Sequence, residues 1–499
     1  MGYVKNKVSI KNSTVYMCGN EEMLKKAAIH NLGCKVNSYE AESMELMLKN
    51  AGYEIVPFDE NIIADVYIIN TCSVTNIADR KSRQMLHKAK KLNPSAVVIA
   101  AGCYAQADSE NVAKDEAVDI VLGNNMKINL IDILDEYFKN AENHADNTFS
   151  MEDGNNPENI EENKNKILSD SIENVIDLSK NQPYEELEID RVNEHTRAYI
   201  KIQDGCNQFC SYCIIPYTRG RIRSRNMSGI IKEVERLVDN GYKEIVLTGI
   251  HLSSYGLDNG KGSLLEVIES VNNIEGVERI RLGSLEPRIV TEEFVAKISL
   301  MDKICPHFHL SLQSGCDATL KRMNRKYNTA QYMESCNILR KYFDNPAITT
   351  DVIVGFPAET DEEFECTRAF LQKIHFYEMH IFKYSRRRGT VADKMDNQID
   401  EKIKTKRSAE LLKLEHVMSE EYRRSFLGKN ADILVEEVID IDGVKYYAGY
   451  TKNYIRVVVP VKETDDVKGK NSYINSITHI KCESIMEDGV TVLGCYVQA

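Results

Sequence analysis

From Arg197 to about Ser385 the chain repeats one pattern six times, a short β-type run followed by a helical one. The β-type runs lie near 198–203, 244–249, 279–283, 307–312, 348–354 and 378–384, separated by stretches such as GIIKEVERLVDN, TAQYMESCNILRKYF and EEFECTRAFLQKI. Strands joined by a helix-length crossover pair in parallel, so the pattern specifies an α/β fold. Six such units predict a partial (β/α)6 barrel whose functional face is built from the loops at the strand C-termini. The strand ends Thr248-GIHLSSYG, Ser284-LEP, Gln313-SG and Gly355-FP are then expected to line one cavity.

The first of these strands, AYIKIQ, runs directly into Asp204-GCNQFCSYC, where Cys206, Cys210 and Cys213 form a C-x3-C-x2-C run. Three closely spaced thiolates in a tight loop suit a cubane iron–sulfur cluster. A structural zinc needs four protein ligands, and no fourth Cys or His lies nearby. Three thiolates on four irons leave one iron open, where a chelating group such as the amino and carboxylate groups of methionine could bind. The alternative is a chance redox or zinc loop.

Upstream, from Lys26 to about Tyr137, strand and helix patterns also alternate. The strand AAIHNLG ends at Cys34, DVYIINT at Cys72 and AVVIAAG at Cys103. In a doubly wound parallel sheet the strand C-termini open onto one edge, so these three distant thiols can converge there. Spacing alone leaves two readings open, a metal site or three small apolar fillers of a core.

The 499 residues predict about three domains. No run approaches the ~18 uninterrupted apolar residues of a membrane span, and the N-terminal MGYVKNKVSI lacks the apolar core of a signal peptide. No membrane partner and a cytoplasmic location are therefore expected. In that reducing compartment thirteen cysteines point to metal or redox chemistry rather than a disulfide framework. The formal charge of −13 argues against a nucleic-acid partner only superficially, because residues 141–190 hold 14 Asp and Glu against three Lys. The other residues sum to only −2. The expected organisation is an extension over 1–22 with Met23 as the natural start, an N-terminal domain over 23–138, and an acidic flexible insert over 139–190. The barrel with a C-terminal helix follows over 191–427 and a β-rich domain over 428–499.

The motifs NLGCKVNSYE around Cys34, NTCSVT around Cys72, AGCYAQ around Cys103 and IQDGCNQFCSYCIIPYTRGRIRSR around the cysteine loop resemble the radical SAM methylthiotransferases. The form GCKVN is similar to members acting on tRNA threonylcarbamoyladenosine next to the anticodon, at position 37. Members acting on isopentenyladenosine tend toward GCQMN, and those modifying a ribosomal protein toward GCPKN. The resemblance implies two 4Fe-4S clusters and S-adenosyl-L-methionine (SAM) as cofactors, with the six cysteines as catalytic and cluster-binding residues. The cluster at Cys206, Cys210 and Cys213 would reductively cleave SAM to methionine and a 5′-deoxyadenosyl radical, which abstracts the hydrogen at adenine C2. The cluster at Cys34, Cys72 and Cys103 would hold the sulfur, which a second SAM methylates. A reducing electron donor and an unidentified sulfur donor are implied as partners, beside the tRNA.

The C-terminal runs ADILVEEV, VKYYAGYTKNYIRVVVP and GVTVLGCYV fit a small β-barrel of the oligonucleotide-binding kind, and GYTKNYIRV resembles the TRAM domain. Tyr450, Tyr454 and Arg456 are candidate RNA contacts, with simple packing as the alternative. The alternating Arg219, Arg221, Arg223 and Arg225, and the run Arg386, Arg387 and Arg388, read either as phosphate sites or as solvated surface. The family usually has prolines at the positions of Arg386 and Arg388. Cys316 stands where a small residue is expected and reads as a free thiol. Competing functions are the same chemistry on isopentenyladenosine tRNA or a ribosomal protein, and a non-catalytic iron–sulfur or RNA-binding protein.

Overall fold

The computed structural model describes residues 24–149, 172–190, 196–462 and 473–497. The expected extension 1–22 and the proposed start at Met23 lie outside these residues.

Six parallel strands form the N-terminal sheet: β1 (Lys26–Asn31), β2 (Glu54–Ile55), β3 (Val66–Thr71), β4 (Val97–Gly102), β5 (Ile120–Leu122) and β6 (Ile172–Asn174), in the order β2-β1-β3-β4-β5-β6. Every residue of β3 and β4 is buried, which is why VYIINT and VVIAAG carry no solvent-facing alternation. Helices Lys35–Asn50 and Leu130–Phe149 cover one face through Met44, Leu48, Leu130 and Leu134. Helix Asn76–Leu92, capped by Thr75, covers the other through Leu86 and Ala89.

The flexible insert expected over 139–190 needs correction at its two ends, its residues 150–171 lying outside the described residues. The helix of the preceding domain runs on to Phe149, Ile172–Asn174 forms the sheet edge β6, and Leu178, Leu187 and Ile189 are buried. The acidic total conceals these spaced apolar residues, whose burial offsets the ordering entropy.

The central domain contains β7 (Arg197–Asp204), β8 (Arg223–Ser224), β9 (Glu244–Gly249), β10 (Arg279–Leu282), β11 (His307–His309), β12 (Ala347–Val354) and β13 (Glu378–Lys383). The sheets β10-β9-β7-β8 and β11-β12-β13 are joined between β10 and β11 by the parallel bridges Ile280–Ile304 and Leu285–Leu310. Apart from the short antiparallel β8, the strands are parallel and curl into the partial barrel expected. β11 is shorter than its apolar run because Gln313 leaves the strand with φ 73. Residues such as Ile200, Leu247, Phe308, Val352 and Met379 pack against the outer helices. Their alternates Lys201, Glu244, Arg281, His309, Asp351 and His380 face the lumen, which is therefore polar.

After helix Glu401–Arg424, β14 (Asn430–Ile441), β15 (Val444–Thr451), β16 (Arg456–Pro460), β17 (Ile477–Ile485) and β18 (Val492–Tyr496) close a barrel in the order β14-β15-β16-β18-β17. It seats against the strand starts of the central domain. Arg279 donates to the carbonyls of Tyr450 and Asp432, Arg281 to that of Lys452, and Arg197 pairs with Glu436 at 2.9 Å. Among the described residues no helix is long and apolar enough to cross a membrane.

Candidate active site

Cys34, Cys72 and Cys103 follow the adjacent strands β1, β3 and β4, so the sheet order brings their loops to one edge. Cys34 caps helix Lys35–Asn50 and Cys103 begins the short helix Cys103–Ala107. The turns between strand and thiol need glycine. Gly102 has φ 90, and a Cβ there would sit 2.7 Å from the Thr71 carbonyl oxygen; Gly33 has φ 127 and lies against the Cys72 Cβ. Asn37 ties the loops together, its Nδ2 donating to the carbonyls of Leu32 (2.9 Å) and Thr71 (3.0 Å). Cys34 is exposed, Cys72 half-buried and Cys103 buried. Burial pushes the Cys34 thiol up, and pushes the Cys72 thiol up to about 11.

The second trio sits in the loop after β7. Gly205, with φ 70, lies so close to the turn at Arg221 that a Cβ would fall 1.9 Å from its carbonyl oxygen. The Cys206 amide donates to Gly220 (3.0 Å), Ser211 to Met323 (3.0 Å), and the Asn324 side chain to Phe209 (2.8 Å), fastening the loop on both sides. Burial pushes the Cys206 thiol up to about 11 and that of Cys213 up to about 12.

The donor set fits two clusters. Positively charged or amide groups aim at sulfur: Arg219 Nε and Asn124 Nδ2 donate to Cys103 Sγ (3.3 and 3.6 Å), and Arg325 Nη1 donates to Cys210 Sγ (3.3 Å). Among the described residues, only His309, Asp351 and His380 draw ligand atoms within 4.8 Å of one another.

Between the trios lies a buried ionic network that the sequence reading missed. Arg219 donates to Glu40 (2.7 and 3.0 Å), Asn37 (2.8 Å) and Asp204 (3.3 Å). Lys201 bridges Glu40 (2.9 Å) and Asp204 (3.0 Å), and Lys127 reaches Glu40 at 3.2 Å. Burial opposes both carboxylate charges, but these cations hold Glu40 well below, and Asp204 below, the usual carboxylate range. Glu40 lies one helical turn beyond Asn37 on the buried face of its helix, and that spacing was the available signal.

The arginine runs divide: Arg221, Arg386 and Arg388 are exposed, as the surface reading has it, and the other four are not. Arg219, Arg223 and Arg225 are buried, and Arg225 pairs with Glu233 and Glu186. Arg221 sits over the Phe209 ring. Arg387 is buried against Asp79 (2.6 Å), Ser73 (2.7 Å) and Asn76 (2.9 Å), tying the exit of β13 to the Cys72 loop. Intramolecular carboxylates pair with the buried Arg219, Arg223, Arg225 and Arg387. Tyr450 and Tyr454 stack on each other with the Arg197 guanidinium 4.9 Å from both rings, so they pack the domain interface. Arg456 lies 3.5 Å from Glu437. Cys316 is a buried free thiol.

The strand-end segments gather round the cysteine loop. Gln203 accepts from the His251 amide (2.7 Å), and Glu286 holds Arg288, which donates to Gln208 in the loop (3.3 Å). Burial lowers the pKa of His251.

The sequence matches the uncharacterized protein family UPF0004 over residues 26–123 and the Radical SAM superfamily over residues 200–371. It is 39% identical over 445 residues to threonylcarbamoyladenosine tRNA methylthiotransferase MtaB of Bacillus subtilis (strain 168), covering 89% of this chain and 92% of that protein. The protein of the same name from Aquifex aeolicus (strain VF5) is 38% identical, with 83% and 93% covered. A tRNA-2-methylthio-N(6)-dimethylallyladenosine synthase of Finegoldia magna is 33% identical, with 90% of each chain covered. Among solved structures, the radical S-adenosylmethionine methyltransferase TsrM from Kitasatospora setae, with cobalamin and a [4Fe-4S] cluster bound, superposes with a TM-score of 0.50. It is 11% identical over 72% of this chain and 75% of its own, a likeness of fold alone. With two cysteine trios on the two matched domains and this identity over nearly the whole length, the chain belongs to the radical SAM methylthiotransferase family.

Proposed function

We propose that this protein replaces the hydrogen at adenine C2 of N6-threonylcarbamoyladenosine in tRNA with a methylthio group, and that Cys206, Cys210 and Cys213 hold the SAM-binding cluster and Cys34, Cys72 and Cys103 the sulfur-handling one. The observation that carries the reading is the pair of three-thiol loops joined by one buried network through Arg219, Glu40 and Asp204. When bound, the clusters and SAM supply one-electron chemistry that an unactivated aromatic carbon requires. The protein's own residues do the positioning: Asp204 anchors the start of the SAM-side loop, Arg325 and Arg219 neutralise thiolate charge, and the polar lumen receives the nucleotide. The substrate class is supported by the B. subtilis and A. aeolicus relatives, whose names specify threonylcarbamoyladenosine. The closed C-terminal barrel, with Lys445 and Lys481 exposed on its strands, supports a TRAM-like role in gripping RNA. The reaction needs an external one-electron reductant and a sulfur source, and a tRNA substrate places it in the cytoplasm.

The test is anaerobic: reconstituted protein, reductant, SAM and tRNA bearing threonylcarbamoyladenosine, with nucleosides and SAM products read by mass spectrometry. The expected products are the 2-methylthio nucleoside and 5′-deoxyadenosine. Turnover of dimethylallyladenosine tRNA alone would move the substrate assignment, and absence of 5′-deoxyadenosine would remove the enzyme assignment.

A further inference from the structure

Lys35 follows Cys34 directly and opens the helix Lys35–Asn50. It is exposed to solvent, yet its ammonium lies within electrostatic reach of Arg281, Arg197, Glu244 and Cys34 and 5.9 Å from the Tyr199 ring centroid. That position lies between Cys34 of the N-terminal trio and the barrel strands β7, β9 and β10. Among the described residues Lys35 has no hydrogen bond or ion pair, whereas the cations around it are engaged. Arg281 holds Glu244 (2.7 Å), Arg197 holds Glu436 (2.9 Å), and Arg219 and Lys201 share Glu40. The buried His307, also within reach of Lys35, has an Nδ1 without a hydrogen-bond partner. These neighbours thus combine a cation without a hydrogen bond and an unsatisfied imidazole nitrogen; Glu244 Oε2 also lacks a hydrogen-bond partner, but the cations Lys35, Arg197 and Arg281 outnumber the carboxylates Glu244 and Glu436, a lining that favours an anionic ligand.

We propose that Lys35 is a specificity-determining residue that pairs with the carboxylate of the substrate's N6-threonylcarbamoyl arm; this rests on the substrate reading above. In that nucleoside the ureido N–H is placed to donate to ring N1, closing a small hydrogen-bonded ring. The amino-acid arm then lies along the N1–C2 edge of the purine, and its carboxylate lies near the carbon that receives sulfur. Lys35 occupies the matching position on the protein, one residue from a cysteine of the sulfur-handling trio. A dimethylallyl arm offers no anion and leaves the ammonium partly desolvated without a partner, which turns attraction for one substrate into rejection of the other.

The test uses anaerobically reconstituted full-length protein and three anticodon stem-loops, bearing threonylcarbamoyladenosine, its neutral carboxamide, or dimethylallyladenosine. Wild-type protein should prefer the carboxylate over the carboxamide by about 10- to 100-fold in kcat/KM, the scale of one charge-assisted hydrogen bond. Lys35→Gln should erase that preference and raise the Kd of the carboxylate RNA by a similar factor, and Lys35→Arg should keep most of it. Equal losses by Lys35→Gln on carboxylate and carboxamide would mark a merely structural role and overturn the inference. Wild-type indifference to the carboxamide would also overturn it, without any variant. Turnover of the dimethylallyl stem-loop with none of the threonylcarbamoyl one would instead sink the substrate reading on which the inference stands.

Discussion

Replacing Arg219 with Met removes the centre of the network while nearly conserving volume. The wild-type guanidinium is fully buried and touches Glu40, Asn37, Asp204 and Cys103. Breaking a buried ion pair by deleting one partner costs about 3–5 kcal/mol. Here neither carboxylate is orphaned: Glu40 keeps Lys201 and Lys127, and Asp204 keeps Lys201 and Arg223. The expected loss is therefore roughly 2–4 kcal/mol, enough to matter against a total stability of about 5–15 kcal/mol. Because the contacts join helix Lys35–Asn50 to the loop after β7, the loss should appear as local opening rather than global unfolding. Hydrogen exchange should rise over residues 35–41 and 204–220 while the C-terminal barrel stays protected. A double-mutant cycle with Glu40→Gln should show a coupling of about 2 kcal/mol, the double variant being less damaged than the sum. Additivity within ~0.5 kcal/mol, or exchange unchanged at those segments, would refute the network as the link between the domains.

Gly205→Ala places a methyl where the Arg221 carbonyl oxygen lies 1.9 Å away, so the loop cannot close; about half the wild-type iron and no 5′-deoxyadenosine are expected. The triple variant Cys34→Ala, Cys72→Ala, Cys103→Ala should likewise hold about half the iron but still cleave SAM, while forming no methylthio nucleoside; full activity would relocate the sulfur-handling site. Burial, with help from Arg281 and Lys35, depresses the His307 pKa well below its ordinary value, and burial also lowers that of His251. Both imidazoles stay neutral in the fold while the unfolded chain gains protons below about pH 6.5, so stability should fall as pH drops below that value. Denaturant midpoints at pH 5.5 and 7.5 should differ, and His307→Gln should narrow the gap; an unchanged gap refutes this origin. Arg387→Ala should loosen the start of helix Asn76–Leu92 and the Cys72 loop, read as faster exchange over residues 73–80, because Asp79, Ser73 and Asn76 all lose their buried partner.

What periodicity controls was legible in advance. Buried parallel strands write themselves as apolar runs, so the six strands of the barrel fall within a few residues of their sequence-read limits, and the three upstream thiols land at adjacent strand ends. What depends on long-range pairing was not legible. Arg219, Arg223 and Arg225 look like a surface stripe until Glu40, Asp204 and Glu233 are brought to them from elsewhere in the chain. The same limit hid β6, whose pairing with β5 is supplied by the sheet and not by its acidic neighbours. The packing of Tyr450 and Tyr454 on Arg197 was hidden for a related reason: an aromatic strand residue does not say which domain will press against it.

The charge of the network explains why it joins the two trios. Through their ion pairs Lys127, Lys201, Arg219 and Arg223 meet the carboxylates Glu40 and Asp204, with Glu185 also close to Lys201, so the cations of this buried group outnumber its carboxylates by one. Buried charge without a counter-charge is strongly unfavourable. The Arg219 Nε contact directs the surplus at the Cys103 sulfur, so on the proposed assignment a thiolate there would complete the pairing. An apolar interface of equal area could hold two domains together but would tolerate sliding, whereas a guanidinium shared among four fixed acceptors admits one geometry. On the proposed assignment two metal centres on separate domains would act on a single base, and this shared network, useless to either domain alone, would fix their separation.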